Sequence, residues 1–316
     1  MEKKQIKKIG IDIGYGHYKF MKDDELLKRP SAVSIVKTKL IDSMESINFE
    51  GKEYYVGEDA LADAIKTRDY SFIYTYSPLI IYNIFKELNI LDELNDYEIH
   101  TGLSLYDIEK SPEFKKEFKN RREEFINRIS KFVINDVVYT PKIKLFAQGQ
   151  GVWYDYCLTH GYIKNGIEVI FDIGYRTNDI IIFKNGSPSK SESNADDKGV
   201  NVVINELKTY LNREFDITFT EQEVMDIFSK KEILIYGKSK DLSFKIDEIV
   251  DNYFEIIFSS LKSDYGKTLK SAVRVIFSGG GAYLLENYIH KLPGNVVFDP
   301  DRNYEFANVR GYYNGW

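Results

Sequence analysis

The tetrapeptide Asp-Ile-Gly-Tyr occurs twice in the chain, at 12–15 and at 172–175. Each copy follows an apolar segment that predicts a β-strand, over 8–13 and 169–173, and precedes a second segment of the same kind. Four matching residues can arise by chance, but the shared strand–turn–strand context favours an internal duplication. The sequence therefore predicts two similar lobes that each begin with a β-hairpin.

The composition indicates a folded protein that stays inside the cell. The 316 residues are enough for two domains, and 43% of them are hydrophobic. The net charge of −6 argues against direct binding to a nucleic-acid backbone, so contact with DNA would require an adaptor. The single cysteine, Cys157, excludes an intrachain disulfide, and no apolar run reaches the roughly 18 residues of a membrane span. We therefore expect a cytoplasmic protein with neither a membrane nor a direct nucleic-acid partner.

Helical periodicity predicts the remaining core elements. The longest pattern, over 113–132, places Phe125 and Phe132 on one apolar stripe. A strand predicted over 273–277 runs into Ser-Gly-Gly-Gly-Ala at 278–282 and then into a helix, which makes a strand–loop–helix unit. Further helices are predicted over 58–66, 201–211, 221–228, 247–261 and 283–292.

Several common types of site are excluded by residues that are missing. The four histidines are scattered and form no metal-binding motif. Gly-Lys-Ser at 237–239 lacks the first glycine of a P-loop, because Glu232 stands in its place. The glycine triplet at 279–281 lacks the third glycine of the dinucleotide fingerprint, because Leu284 occupies that position.

Two Asp-Ile-Gly-Tyr turns and one glycine-rich loop remain. An aspartate at the end of a strand, beside a glycine turn, can face a hydrated metal while backbone amides face phosphate oxygens. Either turn alone is better explained by a simple hairpin with an aspartate at its corner. The pair of turns together with the third loop favours a site for a polyphosphate and Mg²⁺.

These three motifs resemble the nucleotide motifs of the actin-like ATPases, a superfamily that also includes sugar kinases and heat-shock chaperones. The segments 9–19, 171–179 and 276–282 look like its first phosphate, second phosphate and adenosine motifs, in the family's order. The resemblance implies an α/β chain of the actin-like (ribonuclease H-like) ATPase fold, with two similar lobes around a nucleotide cleft. Within the superfamily the chain looks most like the plasmid-segregating ParM branch and its archaeal relatives, through the segments 29–32, 55–60, 101–104 and 306–313.

The resemblance also implies roles for single residues. Asp12 and Asp172 would position Mg²⁺ through water, and Lys19 would meet the β and γ phosphates. Gln148 would orient the attacking water, with Gln150 as the alternative. Gln148 could instead cap a helix predicted to begin near residue 152. The remaining nucleotide contacts implied are Gly14, Tyr15, Gly16, His17, Gly174, Tyr175, Arg176, Thr177, Gly199, Lys230, Gly279, Gly280 and Gly281.

The same resemblance suggests a division of the chain. We expect a first lobe over 1–168 with a small inserted subdomain at about 31–95. A second lobe would span 169–298, and a C-terminal segment, 299–316, would return to the first lobe.

The function implied is that of a Mg²⁺-dependent ATPase that polymerises head to tail into dynamic filaments, with GTP as an alternative nucleotide. Through a DNA-binding adaptor at a centromere-like site, such filaments would segregate plasmid DNA. Two alternatives use the same fold, a small-molecule kinase and a monomeric nucleotide-dependent scaffold or chaperone-type switch.

Overall fold

A computed structural model describes residues 7–36, 45–65, 69–109, 120–298 and 303–315. The chain divides into two compact units. Unit 1 contains Met1–Tyr162 and Asp299–Trp316, and unit 2 contains Ile163–Phe298. No helix in the described ranges is long and apolar enough to cross a membrane.

The first part of unit 1 contains ten strands and four α-helices in its described residues. In chain order these are β1 (Lys7–Ile13), β2 (His17–Lys22), β3 (Glu25–Pro30), β4 (Val33–Ile35), β5 (Ile47–Phe49), β6 (Lys52–Val56), α1 (Tyr70–Glu87), β7 (Tyr97–Leu103), α2 (Leu105–Glu109), α3 (Arg121–Ser130), β8 (Phe132–Ile134), β9 (Val137–Tyr139), β10 (Lys142–Ala147) and α4 (Gln150–His160). Short 3₁₀ helices occupy Gly57–Asp63 and Leu91–Asp96.

Unit 2 follows with the elements β11 (Ile167–Ile173), β12 (Asn178–Lys184), β13 (Ser187–Pro188), β14 (Asn194–Asp196), α5 (Asn201–Phe215), α6 (Glu221–Lys230), β15 (Glu232–Ile235), β16 (Lys238–Asp241), α7 (Ser243–Ser271), β17 (Ala272–Ser278), α8 (Ala282–Leu285) and β18 (Val296–Val297). A 3₁₀ helix covers Glu286–Lys291. The chain then returns to unit 1 through a 3₁₀ turn at Tyr304–Phe306 and the helix α9 (Ala307–Asn314).

The main sheets of the two units have the same topology, as the repeated motif predicts. In unit 1 the strand order is β10-β7-β1-β2-β3, and in unit 2 it is β18-β17-β11-β12-β13, with β14 also pairing β12. In both sheets the central strand pairs with a parallel strand on one side and with an antiparallel hairpin partner on the other. Ile9, Ile11 and Ile13 of β1 are all buried together with Gly10 and Asp12. Burial on both faces is typical of a central strand covered by helices on either side.

A second sheet in unit 1 has the order β4-β6-β5-β8-β9. It therefore includes β8 and β9, which lie outside the 31–95 segment predicted as a subdomain.

In unit 2, α7 extends over 29 residues, and its face with Ile249, Tyr253 and Phe254 is buried in the core.

The predicted helix over 113–132 is wrong at its C-terminal end. Helix α3 ends at Ser130, and Phe132 belongs to β8, where buried Phe132 and Ile134 alternate with exposed Val133. This alternation is the period of a strand. Phe125 lies on α3 as predicted, and only Phe132 matches the helical stripe by coincidence of spacing. Residues 113–119 of that prediction lie outside the described residues. The segments predicted as helical over 58–66 and 283–292 are helical, but the first is a 3₁₀ helix at Gly57–Asp63 and the second passes from α8 into a 3₁₀ helix at Glu286–Lys291. Residue 66 lies outside the described residues.

Candidate functional site

The turn between β1 and β2 requires a glycine at position 14 and accepts two hydrogen bonds from Ser31. A Cβ on Gly14 would lie 2.8 Å from the carbonyl oxygen of His17, so the turn requires glycine there. The hydroxyl of Ser31 donates to the carbonyl oxygen of Gly14 at 2.5 Å. The backbone amide of Ser31 donates to the carbonyl oxygen of Gly16 at 3.0 Å. Because Ser31 is fully buried, it fixes this turn in a single conformation.

Three polar side chains of unit 1 meet at the end of β1. Asp12 is 4% exposed and lies directly opposite Lys19 in the β1–β2 ladder. The Nζ atom of Lys19 is 3.1 Å from Oδ2 of Asp12, and Nε2 of Gln148 donates to Oδ1 of Asp12 at 3.2 Å. One cation and one amide therefore compensate this nearly buried carboxylate from its two oxygens.

The two candidate glutamines differ in what their side chains contact. Gln148 reaches Asp12, whereas Oε1 of Gln150 accepts a hydrogen bond from the backbone amide of Ala147 at 2.8 Å. Gln150 thus closes its own turn at the start of α4, which begins at Gln150 and not near residue 152. The helix-start role considered for Gln148 is not observed, because the N-cap residue of α4 is Gly149 and no side chain in the described part of the chain caps this helix start.

The side chains in the first turn point in different directions. Tyr15 is 6% exposed, and its hydroxyl donates to Oδ1 of Asp107 at 2.7 Å. Its ring therefore anchors the turn within unit 1, and any contact of Tyr15 with a phosphate would have to come from its backbone. His17 is half-buried in β2, opposite Pro30 of β3.

The equivalent turn of unit 2 is held through its carbonyl oxygens. The carbonyl oxygens of Gly174, Tyr175 and Arg176 accept hydrogen bonds at 2.7 to 3.1 Å from the amides of the segment 199–201. A Cβ on Gly199 would lie 2.5 Å from backbone atoms of this turn, so Gly199 is required for the close packing. The hydroxyl of Tyr175 donates to Glu221 at the start of α6 at 2.5 Å. This turn is therefore rigid.

Two buried side chains donate hydrogen bonds to Lys198, the residue before Gly199. The carbonyl oxygen of Lys198 accepts hydrogen bonds from Nδ2 of Asn178 at 2.7 Å and from the hydroxyl of Tyr253 at 2.9 Å. Burial raises the pKa of the Tyr253 hydroxyl, so the group stays protonated and remains a donor.

Asp172 and the glycine-rich loop are packed against each other. Asp172 is 5% exposed, and a Cβ on Gly279 would lie 2.4 Å from its Oδ1 atom. Gly279 has a φ of 82°, and the amide of Gly281 donates to the carbonyl oxygen of Ile173 at 2.9 Å. Gly280 is exposed at the tip of the loop. The structure therefore brings the 172–174 turn and the 279–281 loop together within unit 2.

Two other predicted residues of unit 2 have different surroundings. Thr177 is 3% exposed, and its hydroxyl donates to Oδ2 of Asp179 at 3.3 Å, so its side chain points inward. Lys230 is exposed at the C-terminal end of α6. Glu221, which holds Tyr175, lies at the other end of that helix, about 14 Å away by the helical rise. Lys230 therefore lies away from this turn, and its place beside the adenine base stays a prediction.

Sequence reasoning missed two residues at these turns. Asp179 is 1% exposed and lies opposite Asp172 in the β11–β12 ladder, as Lys19 lies opposite Asp12. The spacing of seven residues, which separates Asp12 from Lys19 and Asp172 from Asp179, could have identified Asp179 from the sequence. Ser31 carries no such signal, since its role depends on contacts that only the folded chain forms.

The donor set fits Mg²⁺ bound together with phosphate. No group of three or more metal-binding side chains occurs among the residues that the structure describes. Mg²⁺ keeps several waters and is usually bound through one or two carboxylates plus substrate phosphates. Within unit 1, Asp12 at the end of the central strand beside a glycine turn is a carboxylate of this kind, and Asp172 is its counterpart within unit 2.

Two family models match the chain. The N-terminal domain of actin-like proteins matches residues 10–151, and the C-terminal domain of the archaeal actin homologue MreB-like matches residues 170–291. No curated protein matches the sequence.

Solved structures of actin homologues are similar to the chain. The archaeal actin homologue Ta0583 is 18% identical with a TM-score of 0.78, and its complex with ADP is 18% identical with a TM-score of 0.73; each comparison covers 98% of both chains. A 15-stranded ParM filament from Clostridium botulinum is 22% identical with a TM-score of 0.72, covering 96% of this chain and 97% of the ParM chain. These similarities confirm the predicted fold.

Proposed function

Since the chain belongs to the actin-like proteins, we propose that it binds ATP with Mg²⁺, hydrolyses it and assembles into dynamic filaments. The observation that carries the proposal is the convergence of Lys19 and Gln148 on the carboxylate of Asp12, at the end of a central strand and beside a glycine turn. The ADP complex of the archaeal homologue supports nucleotide binding by this fold.

Each residue of this group has a distinct task in the proposal. Asp12 holds waters of the bound metal, and Lys19, already oriented toward Asp12, adds a positive charge for the β and γ phosphates. The Gln148 amide has both a donor and an acceptor, so it can orient a water molecule without acting as a strong base. When bound, Mg²⁺ neutralises negative charge on the phosphates.

Unit 2 contains the other proposed binding residues. Asp172 would position the metal through water, and the turn 174–177 would contact phosphates through its backbone. The backbone of Gly279, Gly280 and Gly281 would approach the adenosine, with Gly280 exposed at the loop tip. Lys230, at the C-terminal end of α6, would lie beside the adenine base.

The filament is proposed from the family and from the ParM filament that the chain resembles. A head-to-tail interface that does not close into a ring grows into an open helical filament. Loss of the γ phosphate would remove the group that Lys19 is proposed to contact, and this would weaken contacts between subunits. The net charge of −6 supports a DNA-binding adaptor over direct DNA contact, with plasmid DNA in the cytoplasm as the cargo.

The test is sedimentation together with light scattering across a series of protein concentrations, with Mg·ATP, Mg·ADP or no nucleotide. We expect pelleting with ATP above a threshold concentration, and reversal as phosphate is released. Asp172→Ala should stop phosphate release. A protein that hydrolyses ATP but stays in the supernatant at every concentration would contradict the filament, and a screen of small-molecule acceptors would then test for a kinase.

A further inference from the structure

The C-terminal helix α9 packs directly on the strand that carries Asp12 and on the helix that follows Gln148. A Cβ on Gly10, two residues before Asp12, would lie 2.8 Å from a carbonyl oxygen of α9. A Cβ on Gly311 of α9 would lie 1.9 Å from the carbonyl oxygen of Gly151 in α4. Because backbone meets backbone at both places, α9 has a single position relative to β1 and α4.

Asn308 connects this helix to the Gln148 loop. It is 6% exposed, and its Oδ1 atom accepts a hydrogen bond from the backbone amide of Gly149 at 2.9 Å. Gly149 has a φ of 87°, so the chain turns sharply there. The N–H group that Asn308 binds belongs to the peptide plane between Gln148 and Gly149. Its direction therefore restricts the backbone from which the Gln148 side chain leaves.

The peptide plane on the other side of Gln148 is also held. The amide of Gln148 donates to the carbonyl oxygen of Leu103, at the end of β7, at 2.9 Å. Gln148 therefore lies between two anchored peptide planes, one fixed by the central sheet and the other by Asn308.

We propose that Asn308 is a positioning residue, which holds Gln148 in the orientation needed to direct the attacking water. The inference rests on the proposed function, because Asn308 acts here only through Gln148. Under this proposal, α9 contributes to ATP hydrolysis through Asn308, in addition to packing against β1 and α4.

A separate contact accounts for docking. Arg310 of α9 donates from Nε and Nη2 to the carboxylate of Asp155 in α4 at 2.7 to 3.0 Å, and both side chains are buried. This ion pair joins the two helices without contacting the Gln148 loop. Loss of the Asn308 hydrogen bond should therefore change catalysis more than it changes the packing of α9.

The experiment compares ATP hydrolysis by the full chain carrying Asn308→Ala, Asn308→Asp and Gln148→Ala. Asn308→Ala should lower kcat about tenfold and leave KM within about twofold, as expected when a catalytic side chain is displaced without loss of binding. Asn308→Asp keeps an oxygen acceptor and should restore kcat to within about threefold of the wild type. Asn314→Ala is the matched control, because Asn314 lies exposed on the same helix, and kcat should be unchanged.

Thermal unfolding of each variant accompanies the kinetics. If Asn308→Ala does not fold, Asn308→Ser replaces it, since its shorter side chain does not reach the Gly149 amide. A wild-type kcat in the folded variant, beside a slow Gln148→Ala, overturns the positioning role and leaves the proposed function intact. A loss of kcat that Asn308→Asp does not restore also overturns it, because that result indicates general docking. A wild-type rate in Gln148→Ala contradicts the proposed function itself and removes the premise.

Discussion

The Nζ atom of Lys19 lies 3.1 Å from Oδ2 of Asp12, directly across the β1–β2 ladder, and both side chains are largely buried. Removing one partner of such a pair leaves the other charge uncompensated. Lys19→Met should therefore lower the free energy of unfolding by about 2 to 4 kcal/mol. Asp12→Asn combined with Lys19→Met should lower it less than Lys19→Met alone. Urea unfolding without nucleotide measures both, and a double variant less stable than the single one would contradict the pairing.

The two glutamines after β10 should behave differently when truncated. Gln148→Ala should slow phosphate release and prolong any filaments, while nucleotide binding is kept, because only Gln148 reaches Asp12. Gln150→Ala should keep the hydrolysis rate and lose about 1 kcal/mol of stability, since it removes the acceptor for the Ala147 amide. Single-turnover phosphate release and thermal unfolding distinguish the two. The opposite assignment would show slow hydrolysis in Gln150→Ala alone.

Gly279 and Gly186 form a matched pair for testing the glycine-rich loop. Both have positive φ, but a Cβ on Gly186 meets nothing within 4 Å, whereas one on Gly279 lies 2.4 Å from Asp172. Gly186→Ala should lose only the conformational penalty of about 1–2 kcal/mol. Gly279→Ala should lose more stability and also lower phosphate release, because Asp172 must move. Equal effects of the two substitutions on hydrolysis would contradict this account.

The N-terminus of α6 should show a pH-dependent contribution to stability. Thr220 and Glu223 form a capping box, and hydrogen bonds from the backbone and side chain of Thr220 lower the pKa of Glu223 from its ordinary value of 4.5. A lowered carboxyl pKa stabilises the fold above 4.5, and this contribution is lost as pH falls through the folded pKa. Thr220→Ala should cost about 1 kcal/mol near neutral pH. The stability difference between wild type and Glu223→Gln should shrink on acidification, and a difference independent of pH would refute the capping role.

The hairpin β15–β16 contains a tyrosine that the fold of unit 2 does not use. Tyr236 is 98% exposed and has a φ of 49°, followed by Gly237 with a φ of 75°. Two successive positive φ angles favour Asn-Gly. Tyr236→Asn should therefore raise the free energy of unfolding by about 0.5–1 kcal/mol, and Tyr236→Val should lower it. Thermal unfolding of the two variants checks the sign, and a less stable asparagine variant would mean that the ring makes a stabilising contact.

The amino-acid sequence determined the elements whose signal is local. Two apolar strands that each end in Asp-Ile-Gly-Tyr, and a glycine triplet between a strand and a helix, were sufficient to predict both hairpins and the strand that enters the glycine loop. Alternation, turn chemistry and helical spacing act over a few residues, so they can be read directly. The family resemblance followed from the same segments, whose glycines are required by close backbone contacts and whose aspartates end the central strands.

The tertiary structure decided which side chains meet. Gln148 and Gln150 are equivalent as residue types, and only the approach of Asp12, 136 positions away, distinguishes them. Asn308 reaches Gly149 across 159 positions, and no local pattern reports such a contact. Phe132 fits a helical stripe in the sequence but is drawn into a strand by pairing of β8 with β5 and β9. Long-range packing selects among local options of similar free energy, and for that reason these outcomes required the folded chain.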